Sequence, residues 1–105
     1  MSLHSISPID GRYVKYTKGL AQYFSEAALI RYRIWVEGEY LIALSDLKVV
    51  RKLNQKEKKF IRSLYNLSDK DLRIVSDIET RGYKNIQATD HDVKAVEYFM
   101  KDKFS

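Results

Sequence analysis

The sequence predicts an all-α protein of about five helices, one of them long and central, preceded by an ordered N-terminal loop. Three observations predict it. One proline and four glycines in 105 residues leave few places for a helix to break. Apolar residues recur at three- and four-residue spacing, the period of a helix face. Serine, asparagine or threonine stands ahead of most such stretches with an acidic residue soon after, the signature of a helix start. The length suits one modest core. With 45% hydrophobic and 31% charged residues, neither a disordered nor a membrane chain is expected.

Residues 1–13 read as the ordered loop. Pro8 presets one backbone torsion, and Gly11 permits positive φ, so the segment is expected to be an ordered loop. A short helix is expected over about 14–22. The long helix, about 25–47, starts at Ser25 as N-cap with Glu26 against the positive helix end, and its apolar pattern runs through Ile30, Ile34, Leu41 and Leu44. At ~1.5 Å per residue it would extend roughly 35 Å. Leu29, Tyr32, Trp35, Val36, Tyr40 and Ile42 surround much of its circumference, so neighbours should cover more than one face. Gly38 in mid-helix costs about 1 kcal/mol relative to alanine. Close helix packing is the expected reason.

A third helix, about 55–66, opens on an Asn54/Glu57 capping box and buries Phe60, Ile61 and Leu64. A fourth, about 69–81, opens on Ser68 with Asp71 and buries Leu72, Val75 and Ile78. Its surface offers Asp69/Arg73 and Asp77/Arg81 as i,i+4 pairs. Gly82 ends it, and 83–88 reads as a loop. Thr89 as N-cap with Asp92 makes a further capping box for the last helix, which runs to about 104 with Val93, Val96, Phe99 and Met100 on its core side.

The formal charge of +5 favours an anionic partner: nucleic acid, an acidic protein surface or a phosphorylated small molecule. The densest basic run, Lys56-Glu57-Lys58-Lys59 with Arg62, reads as a solvated face. The absence of cysteine excludes disulfides and thiolate metal sites, and His4 and His91 are too far apart in sequence for metal-ligand spacing. No apolar run approaches the ~18 residues of a spanning helix. The first residues lack the order of a secretory signal, so a cytoplasmic chain is expected.

Chemistry has two candidate places. In Asp10-Gly11-Arg12-Tyr13, arginine offers a planar fork for phosphate oxygens, glycine admits a ligand close to the backbone, and tyrosine adds a hydroxyl and an aromatic face. Surface loops often carry the same residues. In Asp90-His91-Asp92, an imidazole at a helix start can donate to a phosphate or carboxylate, free amides attract anions, and a neighbouring carboxylate can fix the imidazole tautomer. Acidic residues in a first helical turn are equally ordinary capping. His4 lies outside both and reads as a surface residue. There is no phosphate-binding glycine loop, dinucleotide turn, nucleophile elbow or pair of metal-spaced histidines. A self-contained catalytic apparatus is not visible.

Three stretches occur in order: Ser7-Pro8-Ile9-Asp10-Gly11-Arg12-Tyr13; Phe24-Ser25-Glu26 leading into Leu29-Ile30-Arg31-Tyr32-Arg33; and His91-Asp92-Val93-Lys94-Ala95-Val96-Glu97-Tyr98-Phe99. Together they resemble the adenylosuccinate lyases of the fumarase/aspartase superfamily, the last in the form of the bacterial branch. The resemblance implies that residues 1–105 are the helical N-terminal domain of a longer lyase, with the central helical bundle and C-terminal domain absent. It also implies the reaction: elimination of fumarate from adenylosuccinate, giving AMP, and from succinylated aminoimidazole carboxamide ribotide in purine biosynthesis. Neither a metal nor an organic cofactor takes part. By position, Arg12 and Tyr13 become contacts to the nucleotide, with Arg12 on the phosphate, and Asp90, His91 and Asp92 become substrate-binding residues, with a supporting catalytic role for His91. Asp90 stands where many bacterial relatives carry asparagine. The family's acid histidine, base serine and homotetramer-forming bundle come from later sequence, so the chain alone is expected to be inactive. The alternatives are a small basic helical module for nucleic acid or protein, and a helical domain that mediates protein contacts only.

Overall fold

The computed structural model describes residues 2–104. Turns and bends occupy residues 3–13, followed by α1 (Val14–Thr17), one 3-10 turn (Lys18–Leu20), α2 (Ala21–Phe24), α3 (Glu26–Asp46), α4 (Gln55–Ser63), α5 (Asp69–Thr80) and α6 (Asp92–Phe104). The all-α expectation holds, with four substantial helices. The short helix expected over 14–22 is instead a chain of single turns. None of its pieces has a side-chain cap or a buried residue, and an isolated turn is too short to sustain itself. The third helix ends three residues early, its continuation relaxing into a turn that still carries Leu64 and Leu67 into the core.

The main core joins Ile30 and Ile34 of α3 to Leu64 and Leu67, to Leu72, Val75 and Ile78 of α5, and to Ala95, Val96 and Phe99 of α6. Side chains of this kind each contribute about 1.5–3 kcal/mol when fully buried. A smaller cluster of Ile42, Leu53 and Ile61 continues it toward the end of α3, with Tyr65 and Met100 packed against both. Two residues depart from expectation. Val93 and Phe60 are exposed, and on α6 Ala95 faces inward. The long helix is covered on only part of its circumference: Tyr32, Trp35, Val36 and Tyr40 remain exposed.

Gly38 is buried, and a β-carbon there would overlap the Tyr65 ring, falling 2.8 Å from its Cζ. Close packing therefore explains the glycine. The Tyr65 hydroxyl donates to Glu39 Oε2 (2.7 Å), which also accepts from Arg62 Nε (3.1 Å). With Lys58 Nζ on Asp46 Oδ1 (2.7 Å), these contacts clamp α4 to α3. The basic run expected to be a solvated face is thus partly an inter-helix clamp, because Asp46 and Glu39 face it from α3. Arg51 forks onto both Glu57 oxygens beside the Asn54/Glu57 capping box, which forms as expected.

Neither Asp69/Arg73 nor Asp77/Arg81 forms among the described residues. The first pair is solvated at both ends, where such contacts gain little, and Arg81, the C-cap, departs from helical torsions at φ −124°. Asp71 instead lies 3.5 Å from Lys103 of α6. Gly82, at φ +91°, ends α5 as expected, and both its amide and that of Arg81 donate to Asp77 O. The expected loop doubles back through paired Tyr83 and Ile86, and Thr89 N and Asp90 N then donate to Ile78 O (3.0 Å) and Glu79 O (2.8 Å). The last turn of α5 is thereby satisfied by the segment that leads into α6.

The Thr89 capping box does not form. Asp90 takes a left-handed turn, φ +50°, so α6 begins only at Asp92 and His91 holds the N-cap position. Thr89 Oγ1 bonds to the His91 backbone instead. No helix among the described residues is long and apolar enough to cross a membrane.

Candidate functional site

The first constellation sits on a loop held by its own hydrogen bonds. Ser7 N donates to Asp10 Oδ1 (2.9 Å), Tyr13 N to Pro8 O (2.8 Å), and Thr17 Oγ1 to Ile9 O (3.1 Å). Gly11 is buried, and a β-carbon there would meet Ser5 Cβ and Ser7 O at 3.3 Å. The expected positive φ is absent at Gly11, and the glycine serves the loop's own close approach. Asp10 is likewise occupied in shaping the turn. Arg12 and Tyr13 are the outward-facing pair, the guanidinium carbon 5.2 Å from the ring centroid. Arg12 also lines a cavity of about 420 Å³ with Ser5, Ser7 and Pro8.

The second constellation is fixed on both sides. Before it, the amides of Thr89 and Asp90 are bonded to α5. After it, Asp92 accepts from Val93 N through Oδ1 (2.7 Å) and pairs with Arg33 Nη2 of α3 through Oδ2 (2.9 Å). Between these anchors His91 is well exposed, with its side chain 62% accessible. Its Nδ1 accepts from Lys94 N (3.3 Å), so the neutral ring carries its proton on Nε2 and offers that N–H to solvent.

Two expectations are corrected here. Asp92 does not fix the His91 tautomer: its Oδ1 is 3.9 Å from Nδ1, and the Lys94 amide fixes it instead. The start of α6 is also not a set of free amides, because His91 and Asp92 cap those of Lys94 and Val93. Asp90 shapes the segment through its backbone, at φ +50° with its amide on Glu79 O. Asparagine and aspartate are, after glycine, the residues that best tolerate a left-handed turn, and Asp90 suits this position for that reason.

A cavity of about 500 Å³ lies beside this segment, lined by Asn85, Gln87, Thr89, Lys94 and Tyr98. Among the described residues no hydrogen bond or ion pair joins Arg12 and Tyr13 to His91 and Asp92. Each lies on its own element. His4 is exposed, outside both constellations. Nor do three histidine, aspartate or glutamate side chains converge as metal ligands among the described residues. Sequence reasoning missed Arg33, although a signal was present. An arginine three residues after buried Ile30 and next to buried Ile34 lies at the edge of the core, where a charge needs a partner.

Comparison with known proteins places adenylosuccinate lyases beside the chain over almost its whole length. One from Dictyostelium discoideum is 44% identical over 107 residues, covering 97% of this chain. One from Legionella pneumophila is 43% identical over 107 residues and covers 98%. One from Buchnera aphidicola of Schizaphis graminum is 39% identical over 105 residues and covers 99%. In each case the chain spans 22% of the relative's own length. No family model matches the chain.

Proposed function

The chain belongs to the adenylosuccinate lyase family, and from that premise we propose that it is the N-terminal, substrate-binding part of a longer enzyme. That enzyme eliminates fumarate from adenylosuccinate, leaving AMP, and from succinylated aminoimidazole carboxamide ribotide. The observation that carries the reading is similarity along 97–99% of the chain, which includes both candidate constellations. It favours a lyase domain over a basic module for nucleic acid.

The geometry supports a division of labour. Arg12 presents its fork to the substrate phosphate, with Tyr13 beside it against the nucleotide. His91 donates from Nε2 to a substrate oxygen, Asp92 holds the helix start, and Asp90 supplies the left-handed turn between them. A substrate with one phosphate and two carboxylates suits the positive net charge. Elimination needs one group to remove a proton from carbon and another to protonate the leaving nitrogen. Neither is assigned to this chain, which is therefore inactive alone and works without metal or organic cofactor inside a cytoplasmic homotetramer.

The test is the intact mass, in native cells, of the protein carrying this N-terminal peptide, followed by assay of fumarate release from adenylosuccinate. A species several hundred residues longer with that activity is expected. A native product ending at Ser105, or a longer one without lyase activity, would overturn the reading.

A further inference from the structure

His91 carries its chemistry on an exposed ring, and an exposed ring is useful only if something fixes its direction. The Nδ1 contact with Lys94 N fixes the tautomer, but that amide belongs to the first turn of α6, where a helix frays most easily. What keeps that turn in place lies outside α6. Asp92 is bonded through Oδ1 to the amide next in the chain and through Oδ2 to Arg33. Among the described residues, the Arg33–Asp92 pair is the single hydrogen bond or ion pair between α3 and residues 89–92. Arg33 is only 27% accessible, and its guanidinium lies 2.9 Å from the Asp92 carboxylate. The backbone bonds from Thr89 and Asp90 hold the segment to α5, and Ala95 and Val96 pack the next turn against α3, leaving Arg33 as the polar tie from α3 to the segment ahead of that packed turn.

We propose that Arg33 is a positioning residue for the reaction, acting through Asp92 to fix the first turn of α6 and with it the Nε2–H direction of His91. This rests on the lyase reading for its consequence, although the positioning itself does not. Arginine suits the task better than lysine because its planar fork is already organised to meet a carboxylate, and less freedom is lost per bond. Displacement of a substrate-orienting group by about 1 Å can cost up to ~100-fold in rate.

The test uses Arg33→Gln, Arg33→Lys and Asp92→Asn, each checked for native helix content by circular dichroism. In the 105-residue chain, the ¹⁵N shifts of the His91 imidazole report its tautomer. A dominant Nε2–H form is expected in the parent, a mixture in Arg33→Gln and Asp92→Asn, and recovery toward the parent in Arg33→Lys. In the longer enzyme, fumarate release from adenylosuccinate should fall about tenfold or more in kcat for Arg33→Gln, with partial rescue by Arg33→Lys. An unchanged His91 tautomer in Arg33→Gln and Asp92→Asn would overturn the positioning. An active parent enzyme with unaltered kcat in Arg33→Gln would overturn its part in the reaction and leave the lyase reading standing. A parent without lyase activity would sink the lyase reading, with the tautomer measurement still deciding the positioning.

Discussion

The ring of Tyr65 occupies the space that a side chain on Gly38 would need, and its hydroxyl then reaches the neighbouring Glu39. Helix propensity alone would favour alanine over glycine by about 1 kcal/mol in mid-helix. Here the close approach of the ring reverses that preference. Gly38→Ala is expected to destabilise the chain by about 1–3 kcal/mol through overpacking, read as a lower urea midpoint with an unchanged slope. A stabilised variant would show that the ring moves aside freely.

The opposite outcome is expected at Lys48. The end of α3 closes with Lys48 N on Ser45 O and Val49 N on Leu44 O, the paired bonds of a helix stop that normally uses glycine, yet Lys48 stands there at φ +62°. Lys48→Gly relieves the left-handed strain and should stabilise the chain by up to about 1 kcal/mol. Thermal denaturation followed by circular dichroism checks it, and a lower midpoint would refute it.

Acid should loosen the start of α4. The Arg51 fork, followed by the Asn54 backbone amide, lowers the Glu57 carboxyl from its ordinary value near 4.5 to about 2. A carboxylate held lower in the folded state contributes stability that is present above about 4.5 and is lost as pH falls through about 2. The Arg62 fork and then the Tyr65 hydroxyl lower Glu39 in the same direction. Urea midpoints should therefore fall between pH 5 and pH 2, roughly the range over which such groups take up protons. The fall should be smaller in Glu57→Gln, and identical acid profiles for parent and variant would remove Glu57 from this account.

In the longer enzyme, Arg12→Ala and His91→Ala should each lower kcat/KM by about tenfold or more, as loss of a charge-assisted contact worth ~1.5–3 kcal/mol implies. Helix content by circular dichroism should be retained, since neither side chain lies in the core and His91→Ala gives up only the cap on Lys94 N. Near-normal kinetics in both would refute the assignments.

The helices were legible in the sequence where local chemistry sets them. Asn54 with Glu57, Ser25 with Glu26 and Gly82 mark boundaries that the structure keeps within a residue or two. The start of α6 was not legible in the same way. Thr89 and Asp92 have capping-box spacing, but the bonds of Thr89 N and Asp90 N to α5 turn the chain left-handed and delay the helix. That is a contact between segments, which no local pattern contains. The candidate site divides likewise. Motifs nominate Arg12, Tyr13, Asp90, His91 and Asp92 as candidates, whereas the Arg33–Asp92 pair spans α3 and α6 and emerges only when the helices are packed. The Lys58 and Arg62 clamps were hidden for the same reason, their partners Asp46 and Glu39 lying on another helix.

The uncovered side of α3 carries its own optical reporter. Trp35, the chain's single tryptophan, is half exposed and stacked on Tyr32 with 6.3 Å between ring centroids. Its emission should be that of a solvated indole in the 105-residue chain and move to shorter wavelength when another surface settles over Val36 and Tyr40. Fluorescence can therefore follow coverage of this helix without any added label.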